Sequence, residues 1–206
     1  MQRTFDADAA RAIGDAVREL ESRSAAEVVV EIRTASGSYA HADARFAALL
    51  ALLSLIGVVF LPLTVPPIAV IVDPIIVYLG GLVIARRSSA LRRMFSSRKE
   101  RNEAVRMQAA ALFHDRGVAD TSGETGILFF ASILERRIEV LPDRGILRRL
   151  VPHDWNALIT DLRTERTIDT EAILAALRSL GVLLARDVPR GDDDVNELSD
   201  LPEIGA

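Results

Sequence analysis

The sequence predicts an α/β fold, a mixed sheet flanked by helices, with a two-helix transmembrane hairpin inserted into it. Three observations carry this. One apolar block, Ala44 to Ala85, is interrupted only by a short Pro-rich break. Two strand patterns lie on either side of it: Ala26–Arg33 alternates, whereas Ile127–Leu134 is apolar on both faces. Amphipathic helical patterns bracket both strands.

The block comes first because it divides the chain. A membrane helix needs about 20 predominantly apolar residues to cross a hydrocarbon core of about 30 Å. The halves 44–62 and 66–86 each approach that length, and the break around Pro62, Pro66 and Pro67 leaves room only for a tight connection. A buried hairpin of a soluble protein would keep a polar stripe, and neither half has one. Arg45 lies at the edge, where it can snorkel toward headgroups. Asp73 is the one acidic residue inside the second half, a membrane-embedded polar group. Pro74 follows it, so Asp73 reads as the cap of a restarted helical segment or the lining of a kink. An ion or proton site there would lack a second acid in the hairpin to share its charge.

The rest of the chain is enough for one small domain. Of 206 residues, 26% are charged, and the net charge of −4 does not point to nucleic acid. The absence of cysteine excludes disulfides, thiolate chemistry and Cys-based zinc sites. The N-terminus has no signal-peptide apolar core, which makes the first membrane helix the expected insertion signal.

In chain order, Asp6–Ser22 reads as an amphipathic helix with Ile13, Val17 and Leu20 on its apolar stripe and Thr4 or Asp6 as cap. Ala26–Arg33 reads as a half-covered strand, with Val28, Val30 and Ile32 inward and Val29, Glu31 and Arg33 outward. Beyond the block come Arg86, Arg87, Arg92, Arg93, Arg98 and Lys99, against no Lys or Arg between the two apolar halves. The positive-inside rule then places this flank, and with it both termini, on the cytoplasmic side of a cell (inner) membrane. The same arginines attract anionic lipids, so membrane lipids are expected partners.

Ser97–Asp115 reads as a long helix with Val105, Ala109, Leu112 and Phe113 on one stripe, ended by Gly117. A polar loop leads to Ile127–Leu134, a central strand covered on both sides, expected to lie beside the first strand. Glu135–Arg136 turns the chain into Arg137–Leu141, and Pro142–Gly145 turns it again. His153–Leu162 and Thr170–Ala185 read as two closing helices, the latter capped by Asp169 or Thr170. The organisation is thus 1–43 for the first helix and strand, 44–86 for the hairpin, 87–186 for the rest of the domain, and 187–206 for an acidic, disordered tail.

The segments Gly126-Ile127-Leu128-Phe129-Phe130, Arg136-Arg137-Ile138-Glu139-Val140 and Gly145-Ile146 together resemble the hallmark of the TPM domain. That family is named for a thylakoid acid phosphatase, a photosystem II repair protein and a nematode receptor-modulating protein. Gly126, Arg136 and Gly145 occupy its motif positions, and the later Val151–Trp155 is similar to a segment of bacterial membrane-anchored members. The resemblance covers about 6–36 and 97–185. It implies a TPM-like mixed sheet flanked by helices and, in some members, metal-assisted phosphatase activity at acidic positions. The chain departs from the pattern there, with Glu124-Thr125 in place of Asp-Asn before the leading Gly, and with its hairpin inside the domain.

Two functions follow. In one, Asp120, Glu124 and Asp143, all in turns at strand ends, hold a divalent cation (calcium) for phosphomonoester hydrolysis. In the other, which the altered acidic motif favours, the domain is a non-catalytic binding or assembly module for an unidentified membrane or soluble protein, with no nucleic-acid partner. His41, His114 and His153 have no ligand spacing and read as structural. Asp192, Asp194, Asn196, Asp200 and Glu203 follow an EF-hand-like spacing, but Glu197 stands where such a loop needs glycine, so the acidic-tail reading is preferred.

Overall fold

The computed structural model describes residues 5–60, 66–164, 167–191, 198–199 and 201–205. The EF-hand-like positions Asp192, Asp194, Asn196 and Asp200 lie outside the described residues, as do those of the hairpin break before Pro66. The chain forms two compact units, 1–36 with 103–206 and 37–102.

The first unit is mixed α/β. Helix α1, Ala7–Glu21, starts where Asp6 accepts the Ala9 N–H at 2.9 Å. It buries Ile13, Val17 and Leu20, spaced for one helical face. Strand β1, Glu27–Arg33, and strand β2, Gly126–Ser132, pair in parallel along seven residues, from Glu27 opposite Gly126 to Arg33 opposite Ser132. The first strand therefore lies beside the central one, as its pattern requires. Strand β3, Arg137–Pro142, returns antiparallel to β2. The fourth strand, β4, is Glu203–Gly205, parallel to β1, and completes the sheet order β3-β2-β1-β4.

Four details differ from the sequence reading. Strand β1 is covered on both faces, because Glu31 is fully buried among charged partners instead of facing water. Asp143 does not merely close a turn: it caps a short helix. A single 3-10 turn, Val118–Asp120, interrupts the polar loop before β2. The chain beyond Asp187, read as lacking structure, supplies β4 and a bridge between Pro189 and Ser24. Main-chain pairing of that kind leaves no periodic apolar signal.

The helices fall on the two faces of this sheet. Between Glu103 and Asp115, the part of a longer helix belonging to this unit packs Val105, Ala109 and Leu112 with Val29, Leu128 and Phe130. The opposite face carries the larger core. There Val28, Val30, Ile32, Phe129 and Ile138 meet α1 and the closing helices Pro152–Leu162 and Thr170–Asp187, with Trp155 and Leu180 among them.

The second unit is helical. Helix α2, Ala40–Phe60, and helix α3, Pro67–Arg87, pack antiparallel. A Cβ on Gly81 would stand 2.9 Å from the Ala47 Cα, so only glycine permits this approach. Each helix is 21 residues, long and apolar enough to span a membrane. Leu52, Leu53, Ile56, Ile71, Ile75 and Ile76 all point outward. Helix α3 runs unbroken through Asp73 and Pro74. The Asp73 carboxylate accepts the Ser54 hydroxyl across the pair, so its observed role is a bond between helices and not a restarted cap. Helix α4, Ser89–Phe95, follows, and its Arg92 forks onto the buried Asp43 with two contacts of 2.9 Å. Those bonds hold the Arg92 guanidinium above its usual value, against the pull of burial. Helix α5, Arg98–Asp115, opens in this unit with a capping box: Ser97 N–H to Glu100 at 2.8 Å, Glu100 N–H to the Ser97 hydroxyl at 3.1 Å.

Candidate functional site

The acidic positions singled out by sequence lie around the loop between α5 and β2. Two residues beyond the end of helix α5 comes Gly117, whose φ of 64° is the left-handed conformation glycine adopts at little cost. The Thr121 hydroxyl then accepts two backbone N–H groups, from Thr125 at 2.9 Å and Gly126 at 3.2 Å. Thr121 is buried, and it organises the loop. Gly126 and Gly145 make the loop possible. A Cβ on Gly126 would stand 2.0 Å from the Val118 carbonyl oxygen. One on Gly145 would stand 2.6 Å from the carbonyl oxygens of both Gly123 and Glu124. The two motif glycines thus let three backbone segments close on one another.

The three carboxylates have separate occupations. Asp143 accepts the Arg144 N–H at 2.6 Å and caps helix α6, Arg144–Arg149, while its own N–H goes to the Gly126 carbonyl at 2.8 Å. Glu124, at a φ of 51°, pairs with Arg148 at 2.9 Å. Asp120 ends the 3-10 turn and is exposed. The loop brings Glu124 near the start of α6, but among the described residues no three His, Asp or Glu side chains converge to hold a metal ion. His41, His114 and His153 are all exposed and lie on different helices. Arg136 is remote from this loop in the chain's course. It takes a φ of 56° in the turn between β2 and β3. There Ser36 donates its N–H to Glu135 at 2.9 Å and its hydroxyl to Ser132 at 2.8 Å.

Sequence reasoning missed a band of charge across the sheet. Register sets Glu139, Phe130, Glu31 and Glu203 in one row over β3, β2, β1 and β4. Glu31 and Glu139 are 0% and 1% exposed, so each requires a cation. Arg163 forks onto Glu139, with Arg137 3.6 Å from the same carboxylate. Burial pushes the Arg137 guanidinium below its usual value; Glu139 acts against this, and Arg163 and Arg106 add to it. Arg33 lies 3.2 Å from Glu31, and Arg116 binds both Glu31 and Glu203. An alternating strand hides such an arrangement, because Glu31 occupies the position of a solvated residue in the pattern.

These features define a class: a four-stranded α/β domain with an apolar helical hairpin inserted between its first two strands. No family model matches the chain, and neither does any curated protein. A solved structure with a similar fold is the BA42 protein of the psychrophilic bacterium Bizionia argentinensis, determined by NMR. The two share 14% identity and a TM-score of 0.56, over 100% of this chain and 98% of that one. At that identity the likeness speaks to the fold alone.

Proposed function

We propose that this is a membrane-anchored TPM-like protein whose α/β unit is a non-catalytic binding or assembly module at the membrane surface. The observation that carries it is the occupation of the loop acids. Asp143 is committed to a helix cap and Glu124 to Arg148. Neither position needs a metal ion to account for it. The outward apolar side chains of α2 and α3 support a membrane location, since water would meet a continuous hydrophobic surface there. The arginines that close α3 and line α4 support a cytoplasmic position for both termini.

A phosphatase assay on the detergent-purified full chain, with and without calcium and magnesium, tests the reading. No turnover above a heat-denatured control is expected. Cation-dependent turnover that disappears in Glu124→Ala and Asp143→Ala would establish the hydrolase reading instead. Reporter fusions at Met1 and Ala206 test the topology, and an extracytoplasmic signal from either would reverse it.

A further inference from the structure

We propose that the edge of β1 is a docking groove for an extended segment of a partner protein, one that presents an acidic residue two positions before a glycine, and that the chain's own C-terminal strand fills this groove in cis. The inference rests on the binding-module reading of the α/β unit but not on the loop carboxylates, so the two can fail separately.

The occupant's chemistry is read from the segment now in place. Strand β4 pairs with only three of the seven residues of β1, at Glu31, Ile32 and Arg33. Its side chains add little burial: Glu203 and Ile204 are exposed. Among the described residues, other contacts add to that pairing. Leu198 packs against the α5-side core and donates its N–H to Glu27 at 3.3 Å. Glu203 pairs with Arg116. Gly205 lies beneath Arg33, where a Cβ would stand 2.0 Å from Nη1, so a larger residue there requires the Arg33 side chain to shift. The pattern is one apolar residue, an acid five positions later, and a glycine two beyond that.

The groove itself does not depend on β4. Glu31 is fully buried and binds Arg33 and Arg116 from within the sheet face, so both cations stay in place if the tail leaves. What would remain is a strand edge with unpaired backbone groups and a cationic side chain beside it, the arrangement used for strand addition by peptides. The tail is tethered to the same unit, so its effective concentration is on the order of millimolar and it competes with any partner. A few polar contacts on an exposed strand belong to the low-stability end of a fold, which suits an exchangeable cover.

The test uses the full chain in lipid nanodiscs and a fluorescent peptide of the sequence from Leu198 to Gly205, read by polarisation. Glu203→Arg sets a cation against Arg116 and loosens the tail in cis. A chain ending at Gly191 is the second opened variant, and Trp155 emission reports that each remains folded. Peptide affinity should rise at least tenfold in both opened chains over the wild type. Peptides with Lys for the Glu, or Val for the Gly, should lose at least tenfold. Folded opened chains that take the peptide no better than the wild type would overturn the proposal. So would binding indifferent to both peptide changes. Concentration-dependent dimers that exclude the peptide would assign the edge to a second copy, and overturn the partner reading.

Discussion

Replacing Gly126 with alanine should be among the most damaging single-methyl changes in the α/β unit. The added Cβ would stand 2.0 Å from the Val118 carbonyl oxygen and 2.8 Å from its Cγ1. A carbon and a carbonyl oxygen approach no closer than about 3.3 Å, so the two segments must part by about 1.3 Å. Backbone cannot rotate away as a long side chain can. Gly126 opens β2 and is paired with Glu27, and Val118 is fully buried among Leu128 and Phe130. Interiors of that density transmit the displacement instead of absorbing it. Overpacking costs about 1–3 kcal/mol, and this case belongs near 3 because both partners are fixed. At about 2–4 °C per kcal/mol for a chain of this size, the midpoint should fall by roughly 6–12 °C. The chain has one tryptophan, Trp155, buried in the core of the same unit, so its emission during heating reports that unit and not the hairpin. Gly191→Ala is the control: nothing lies within 4 Å of its added Cβ, and its φ is not left-handed. A Gly126→Ala midpoint within about 1 °C of the wild type would refute the close-approach argument.

Three further outcomes are expected. Asp73→Ala should weaken the hairpin by about 1 kcal/mol, the scale of hydrogen bonds between membrane helices, whereas Asp73→Asn keeps the bond to Ser54 and should cost less. Equal losses in a detergent-unfolding titration would mean the charge itself matters. Glu100 is held at about 2 by its bond to the Ser97 N–H above all, with help from the Ser97 hydroxyl and Arg45. Its folded value is depressed, so the capping box is fully effective above the ordinary carboxylate range of about 4.3 and is lost as pH falls through about 2. Amide protection at the start of α5, taken as wild type minus Glu100→Ala, should therefore be flat above about pH 4.5 and shrink toward pH 2. Arg163→Ala should destabilise the α/β unit by about 2 kcal/mol, because it leaves the buried Glu139 with Arg137 at 3.6 Å; the figure is below that for a fully buried pair because Arg163 is partly exposed. Chemical denaturation followed at Trp155 measures it, and an unchanged midpoint would show that Arg137 alone suffices.

The parts of the fold legible in the sequence were those whose cause is local. The apolar stripe Ile13, Val17 and Leu20 specifies α1, and Asp6 specifies its start. Continuous apolar residues specify β2, and the paired blocks 44–62 and 66–86 specify α2 and α3 within a few residues of their ends. The glycines of the loop were also legible as positions, although the reason for them was not. That reason is the carbonyl of Val118 for Gly126, and those of Gly123 and Glu124 for Gly145, which only the folded chain brings near.

What stayed hidden was the use of polar groups across long stretches of chain. Glu31 is an outward residue by alternation, yet it is buried because Arg116, 85 positions later, reaches it at the end of α5. Asp73 is a cap by its neighbour Pro74, yet it bonds Ser54 because antiparallel packing sets the two at one level. Glu203 belongs to an acidic tail by composition, yet it pairs with Arg116 because parallel register brings it beside Glu31. In each case a carboxylate that local pattern assigns to water or to a cap is taken by a partner that topology supplies. Burying a charge is costly unless such a partner is present. The same exchange bears on the loop acids: Glu124 and Asp143 were candidates for a metal by position, and each is held by its own pair or cap. Each of these acids thus has a place in the fold that its neighbours alone explain.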